Sequence, residues 1–188
     1  MMNRNWSAMI LIAALALPLP MLAQNGLYID GAVGRSTVDA SGIDENDTSF
    51  RFGAGWRFNP NFGLEVGYQD LGEVSEEAAI GGATQSLETD GFYAGLNARL
   101  PLSQDDGRGF YLGARAGFYF WDAKGRARVV TITVPIDDSD QDVYFGVGGG
   151  YDFNAQFGVG LNYDRYKVGG GLVDTDYDVV SLSTEFRF

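Results

Sequence analysis

Nine charged residues fall on one parity of an alternating chain: Arg51, Arg57, Glu65, Arg99, Arg115, Asp152, Asp164, Glu185 and Arg187. Acids and guanidiniums mixed on one strand face can do one of two things. They can line a polar lumen that admits water and small ions, or they can pair and fill the space themselves, since buried charges persist only with partners. A second group, Asp174, Asp176 and Asp178, puts three carboxylates on one edge of an extended chain. Such oxygens suit Ca²⁺ or Mg²⁺, but the Gly and bidentate Glu of an EF-hand loop are not at the required spacing. Solvated loop carboxylates are the better reading, and no metal or other cofactor is expected.

The remaining chemistry is sparse. The 188 residues contain no His and no Cys, which removes the usual acid–base, nucleophilic and metal-ligating side chains. No Ser/Lys pair or carboxylate dyad stands out either, so no enzyme is expected. A net charge of −12 would repel phosphates, which argues against nucleic acid as a partner. Further acidic clusters occur at Asp44-Glu45-Asn46-Asp47, at Glu73, Glu76 and Glu77, and at Asp137–Asp142. Lys124, Arg126 and Arg128 form the one basic run, beside the alternating Val/Thr of Val129–Val134. That run fits either an extended hairpin reaching a phosphate-bearing surface or a twisted loop whose charges blunt a strand edge. Gly169-Gly170-Gly171 is a loop tip, since no strand–loop–helix context makes it a phosphate cradle.

The elements that must position these residues are strands of period two. In the last segment Val180, Leu182, Thr184, Phe186 and Phe188 share one face, and Ser181, Ser183, Glu185 and Arg187 share the other. The same alternation recurs from Phe50, Phe62, Phe92, Phe110, Val143 and Phe157 onward, and more weakly over Leu27–Gly34, which makes eight strands. The second face is rich in Gly with a few Tyr and only one or two charges per strand, a poor surface for bulk water. It suits a narrow interior, whereas the continuous Phe/Leu/Val face suits lipid. Apolar-out, polar-in alternation over about ten residues per segment is the pattern of a transmembrane barrel. The expected fold is an all-β, eight-stranded antiparallel up-and-down barrel.

The N-terminal segment sets the compartment. Arg4 precedes an apolar run from Ala8 to Leu22, and Ala23 offers a small residue at the exit. This is the plan of a cleaved secretory signal peptide, assigned to residues 1–23 with the barrel over 24–188. The segment is too short and too broken by Pro18 and Pro20 to span as a helix. Short links at Asn59-Pro60, Pro101–Arg108 and Asn154–Gln156 belong on the periplasmic side with both chain ends. Longer loops at Ser36–Thr48, Gly72–Ser86, Asp122–Gln141 and Lys167–Asp176 belong outside. Trp56, Phe58, Phe62, Tyr151 and Phe153 sit where an interfacial aromatic girdle is expected.

The stretch Trp56-Arg57-Phe58-Asn59-Pro60-Asn61-Phe62-Gly63-Leu64-Glu65-Val66-Gly67-Tyr68 resembles the second hairpin of the outer membrane protein A (OmpA) transmembrane domain. The likeness continues weakly over residues 26–188. It implies an integral protein of a Gram-negative outer membrane whose interior holds a cluster of opposite charges, with Glu65 and Arg115 matching family positions. Asn97, Gly150 and Gly160 stand where that family has further charges, so its gating salt bridge is not carried over. No wall-binding domain follows the last strand, so wall anchoring is not carried over either. Phe188, with Phe186 and Leu182 at alternate positions before it, looks like the signal read by the barrel-assembly machinery. The partners implied are outer-membrane lipid, lipopolysaccharide, that machinery during biogenesis, and an extracellular ligand of unknown identity. The function expected is a structural role in the envelope with small-pore, porin-like activity. The alternative is a surface interaction protein, adhesin-like or ligand-binding, that works through its extracellular loops.

Overall fold

The alternation of apolar and small or polar residues forces each strand to bury one face and leave the other to lipid. Closure into a ring then pairs every strand on both sides. In the computed structural model, which describes residues 26–38, 46–77, 84–103, 107–129, 132–169 and 174–188, eight strands close in chain order into an antiparallel barrel. They are β1 (Leu27–Val38), β2 (Asn46–Arg57), β3 (Phe62–Glu77), β4 (Thr84–Pro101), β5 (Gly109–Val129), β6 (Ile132–Asp152), β7 (Phe157–Gly169) and β8 (Asp174–Arg187). Residues 1–23, read as the signal peptide, lie outside the described residues.

The outward face carries the large apolar side chains. Phe52, Leu64, Leu96, Phe118, Val147, Leu161 and Leu182 are each about half exposed, with no protein to cover them. In water this would be an aggregation surface; in lipid it is the solvated face. The girdle residues Trp56, Phe58, Phe62 and Phe153 lie on the same exterior at the short-turn end, with Tyr151 edge-on to Phe110 and Phe153.

Two of the short turns share one local device. Asn59 accepts backbone N–H bonds from Asn61 and Phe62 through its side-chain oxygen. Asn154 does the same for Gln156 and Phe157. The Phe-Asn-x-x-Phe-Gly spelling of both turns satisfies the free donors of a tight connection without a long loop.

The long connections differ from expectation. Gly72–Ser86 and Asp122–Gln141 are mostly strand: β3 runs to Glu77, β4 starts at Thr84, and the β5–β6 ladder continues to the pair Val129–Ile132. The Ser36–Thr48 and Lys167–Asp176 links are likewise shortened by strand at both ends. Polar residues with no apolar stripe read as loop, yet an antiparallel partner is enough to hold them extended. The basic run of Lys124, Arg126 and Arg128 therefore sits on the extended hairpin, and the twisted-loop reading does not hold; these side chains lie outside the described residues. At about 3.3 Å per residue and a barrel tilt of about 40°, the nine residues beyond Phe120 carry β5 roughly 20–25 Å above the apolar belt. One irregularity marks the exit from the belt. The register slips between Asp70 and Glu73, and Gly72 takes a φ of 87° while its N–H bonds the Asp70 carboxylate at 2.8 Å.

Leu96, 57% exposed on the exterior, tests which face meets lipid. Leu96→Arg is expected to cost roughly 2–4 kcal/mol in reversible unfolding from lipid; no change in the unfolding midpoint would place Leu96 away from the hydrocarbon.

Candidate functional site: the barrel lumen

All nine charged residues of the inward parity point into the lumen, and the structure joins them through ion pairs. A tenth, Asp30, completes the set. The nine alone hold five arginines against four acids, an imbalance of one that a closed interior does not tolerate cheaply. Asp30 shares the inward parity of β1 with Tyr28; it is missing from the charges read off the sequence, and the imbalance of one is the signal that could have found it.

The pairs fall into two clusters that share no ion pair. The inner cluster lies near the middle of the barrel. Arg51 bonds Asp30 at 3.1 Å and Asp164 at 3.4 Å. Arg115 bonds Asp164 at 2.7 Å and lies 3.7 Å from Glu65. Phenols finish the acids and the guanidinium: Tyr144 donates to Glu65 at 2.6 Å, and Tyr166 accepts from Arg115 at 2.6 Å. The mouth cluster lies toward the short turns. Arg57 bonds Glu185 at 2.6 Å, Arg99 bonds Asp152 and reaches Glu185 at 3.5 Å, and Arg187 bonds Asp152 and lies 3.3 Å from Glu185.

Positions without the family's charges are filled by rings. Added Cβ atoms at Gly150 and Gly160 would both meet the Tyr111 hydroxyl, and Arg99 stacks 3.3 Å above that ring. Asn97 donates to the Tyr28 hydroxyl at 2.6 Å, and Arg57 lies over the Tyr28 ring at 4.4 Å.

Above the inner cluster the lumen is filled by an aromatic plug. Tyr93, Tyr144, Tyr166 and Tyr119 touch in series, with centroids 5.6, 5.5 and 5.0 Å apart. Gln69 ties them to the wall: it accepts from Tyr166 through its side chain and from Tyr119 through its carbonyl, and its amide donates to Ser49. Trp121, Leu71, Val168, Tyr177 and Val179 cover this layer on the outer side and are almost fully buried. Four inward glycines make room for these rings. A Cβ at Gly53 or Gly67 would strike Tyr93, and one at Gly95 or Gly117 would strike Tyr144. From mouth to exterior the filling thus passes from charge to phenol to hydrocarbon. The sequence pattern showed Tyr93, Tyr119 and Tyr144 pointing inward among glycines, but not that they meet.

Of the carboxylates considered for metal, Asp178 is engaged by other side chains. Arg165 holds Asp178 through two bonds of 2.6 Å, and Tyr163 adds a third at 2.9 Å. One step above the apolar belt, these bonds from Arg165 hold the Asp178 carboxyl below the usual range. Asp176 lies opposite Lys167, and the Asp174 side chain is outside the described residues. Among the described residues no three acidic side chains gather as a metal site. Leu182 and Phe186 face lipid, and Phe188 bonds Leu27 through its N–H at 3.1 Å.

A closed antiparallel ring, apolar outside and filled inside, with short turns at one end, defines an integral β-barrel protein of the outer membrane. The chain belongs to the outer membrane protein beta-barrel domain family, whose model matches residues 8–188. Solved structures agree on the fold. Ail, the attachment invasion locus protein of Yersinia pestis, superposes with a TM-score of 0.58 at 17% identity, over 88% of this chain and 100% of that one. Neisserial surface protein A gives 0.57 at 16% identity, over 87% and 97%. The N-terminal barrel of Pseudomonas aeruginosa OprF gives 0.55 at 14%, over 88% and 100%. No curated protein matches the chain in sequence.

Asp164 anchors both Arg51 and Arg115, whereas Asp178 anchors a half-exposed arginine. Asp164→Ala is expected to cost about 3–5 kcal/mol, against about 1 kcal/mol or less for Asp178→Ala. Equal losses in urea unfolding of the refolded barrel would mean that the lumen pairs are as hydrated as the surface one.

Proposed function

We infer that this protein is a structural barrel of the outer membrane whose lumen is closed at rest. The observation that carries the reading is the Tyr93–Tyr144–Tyr166–Tyr119 series across the lumen, backed by side chains that water does not reach. Eight strands leave an interior just wide enough to be filled by side chains, and among the described residues the tyrosine layer is only 0–2% exposed. Porin-like conduction would require the plug to move as well as the ion pairs. Its service to the cell is then mechanical: a stable unit that occupies and orders the bilayer, with no catalysis assigned.

A second reading draws on the β5–β6 ladder, which stands above the belt and offers a surface to molecules outside the cell. Ail, of similar fold, has been solved with the heparin analogue sucrose octasulfate; for the present chain a surface role rests on the projecting hairpin. Deleting that hairpin above Phe120 separates the readings, because envelope integrity survives it under the first and ligand binding is lost under the second.

The first reading is checked by single-channel recording of refolded residues 24–188 in a planar bilayer. A silent membrane is expected, with folding verified by a heat-dependent gel shift; discrete openings above a protein-free control would overturn the closed lumen.

Biogenesis is proposed to use the C-terminal pattern of Leu182, Phe186 and Phe188 as a recognition signal for the assembly machinery. Removing Phe188 is then expected to lower assembly in cells far more than unfolding stability in vitro. Equal losses in both would reduce the residue to ordinary packing.

A further inference from the structure

The β6–β7 ladder stops short of the ladders beside it. Its last pair is Tyr144–Tyr166, whereas β6 pairs β5 as far as Val129–Ile132 and β7 pairs β8 as far as Gly169–Asp174. Among the described residues, β6 above Tyr144 is therefore flanked by β5 alone. The parting is held in place. One carboxylate oxygen of Asp142 accepts the Gly169 N–H at 2.7 Å and the Trp121 indole N–H at 3.1 Å, and Val168 is buried in the plug layer. The β7 backbone is thus drawn to a side chain of β6 instead of continuing along its edge.

The hydrogen-bonding phase of β6 shows which groups line that edge. At the turn below, Phe153 donates its N–H to Phe157 at 3.0 Å, and the β5–β6 register runs without a slip from Asp152 to Ile132. In an antiparallel ladder the bonded side alternates residue by residue, so the odd-numbered residues of β6 turn their N–H and C=O away from β5. Above Tyr144 these include Val143, Gln141 and Asp137. Two observations agree with that phase. Gln141 gives its N–H to the Asp140 carboxylate at 2.8 Å, a local bond in place of a strand. Pro135 has the same parity, where a missing N–H costs the β5 ladder nothing. The opposite edge of the projecting sheet, on β3, carries the register slip at Asp70–Glu73, a device that blunts strand edges; β6 has none.

We propose that the edge of β6 from Asp137 to Val143 docks an extended peptide segment rich in lysine or arginine. The segment adds as a strand on the side that β7 leaves, in the antiparallel sense that β6 keeps with β7 below. This rests on the surface reading of the β5–β6 hairpin and names its partner class. In strand addition the main-chain bonds supply affinity, and side chains at alternate positions supply selectivity. Charge sets the selectivity here. Four of the six residues from Asp137 to Asp142 are aspartates, and only Asp137 lies opposite a basic residue of β5, Lys124. Asp138 and Asp140 lie opposite Ala123 and Trp121, and Asp140 is exposed. Both share one parity, so basic residues two apart on an added strand would stand opposite them. A second copy of this chain would lay the same acidic run against itself, and like charges side by side oppose pairing.

The probe is a fluorescein-labelled synthetic peptide of alternating Lys and Val, titrated against refolded residues 24–188 in phosphatidylcholine nanodiscs and read by fluorescence anisotropy. Saturable binding is expected, with none for the peptide of alternating Glu and Val. When the lysines stand opposite Asp138 and Asp140, the valines stand opposite the odd-numbered residues and supply the ladder donors. N-methylation of the valines keeps the charge, removes those donors and is expected to weaken binding about ten-fold or more. On the barrel, Gln141→Pro removes an edge donor without touching the β5 ladder. It is expected to weaken binding to the same degree, whereas Gln141→Ala stays within about two-fold of the native barrel. No saturable binding to the native barrel would overturn the proposal. So would equal binding of the N-methylated peptide, because charge alone would then suffice. Should Gln141→Pro fail the gel-shift test of folding, the N-methylated peptide on the native barrel still decides. A concentration-dependent dimer of the native barrel that Gln141→Pro dissolves would give the edge to a second copy and likewise overturn the assignment. Failure here is distinct from failure of the surface reading. A glycan-array ligand lost on deletion of the hairpin above Phe120, with no peptide bound, would leave that reading standing and this one overturned.

Discussion

Lipid cannot hydrogen-bond a peptide group, and the architecture of this protein follows from that constraint. Every N–H and C=O crossing the hydrocarbon must pair within the protein. With strands as the only spanning elements, pairing is complete only if the first strand meets the last. The β1–β8 ladder, eleven pairs from Tyr28–Arg187 to Val38–Tyr177, is therefore what permits the rest to exist. Closure creates a second problem in turn. A ring of eight strands encloses a space that must be filled, and half of every strand's side chains point into it.

The chain fills that space with two chemistries. Toward the mouth it uses arginines and carboxylates, which occupy volume only if each charge finds a partner. Further up it uses tyrosines, whose rings take more volume and whose hydroxyls bond neighbours or backbone. Glycine on the opposing strands is the complement to both. Gly53, Gly67, Gly95 and Gly117 make the floor on which Tyr93 and Tyr144 lie, because a Cβ at any of them would occupy ring space. High glycine content thus reflects the size of the aromatic filling more than flexibility.

Strand number, facing and turn positions are legible in the sequence because each is a short-range property. Period two shows the face, and Asn59-Pro60 or Asn154 shows the turn. The inward set of charges follows from the same parity. What the pattern hides is long-range. Asp30 belongs with Arg51 across the β1–β2 ladder, and parity alone does not say which inward acid joins which arginine. Tyr166 and Tyr177 close the plug from strands whose inward faces look merely polar. The strand extensions of β3 to β6 above the belt were also hidden, since outside lipid the outward positions lose their apolar signal while the hydrogen-bonded ladder continues.

The departures from the resembled family's interior bear on what such a barrel can do. A charge-filled interior can exchange partners without changing its volume, because one arginine swings from one carboxylate to another. Here Gly150 and Gly160 surround the phenol of Tyr111, and Asn97 is tied to Tyr28. A ring held between two glycine backbones has no alternative place of equal packing. Moving it would open a void and strand Arg99, which lies on its face. Replacement of charges by ring-and-glycine pairs therefore exchanges a network that can switch for one that resists switching. Under the closed-lumen proposal, the barrier between periplasm and exterior is carried by the aromatic frame, and the ion pairs are held around it.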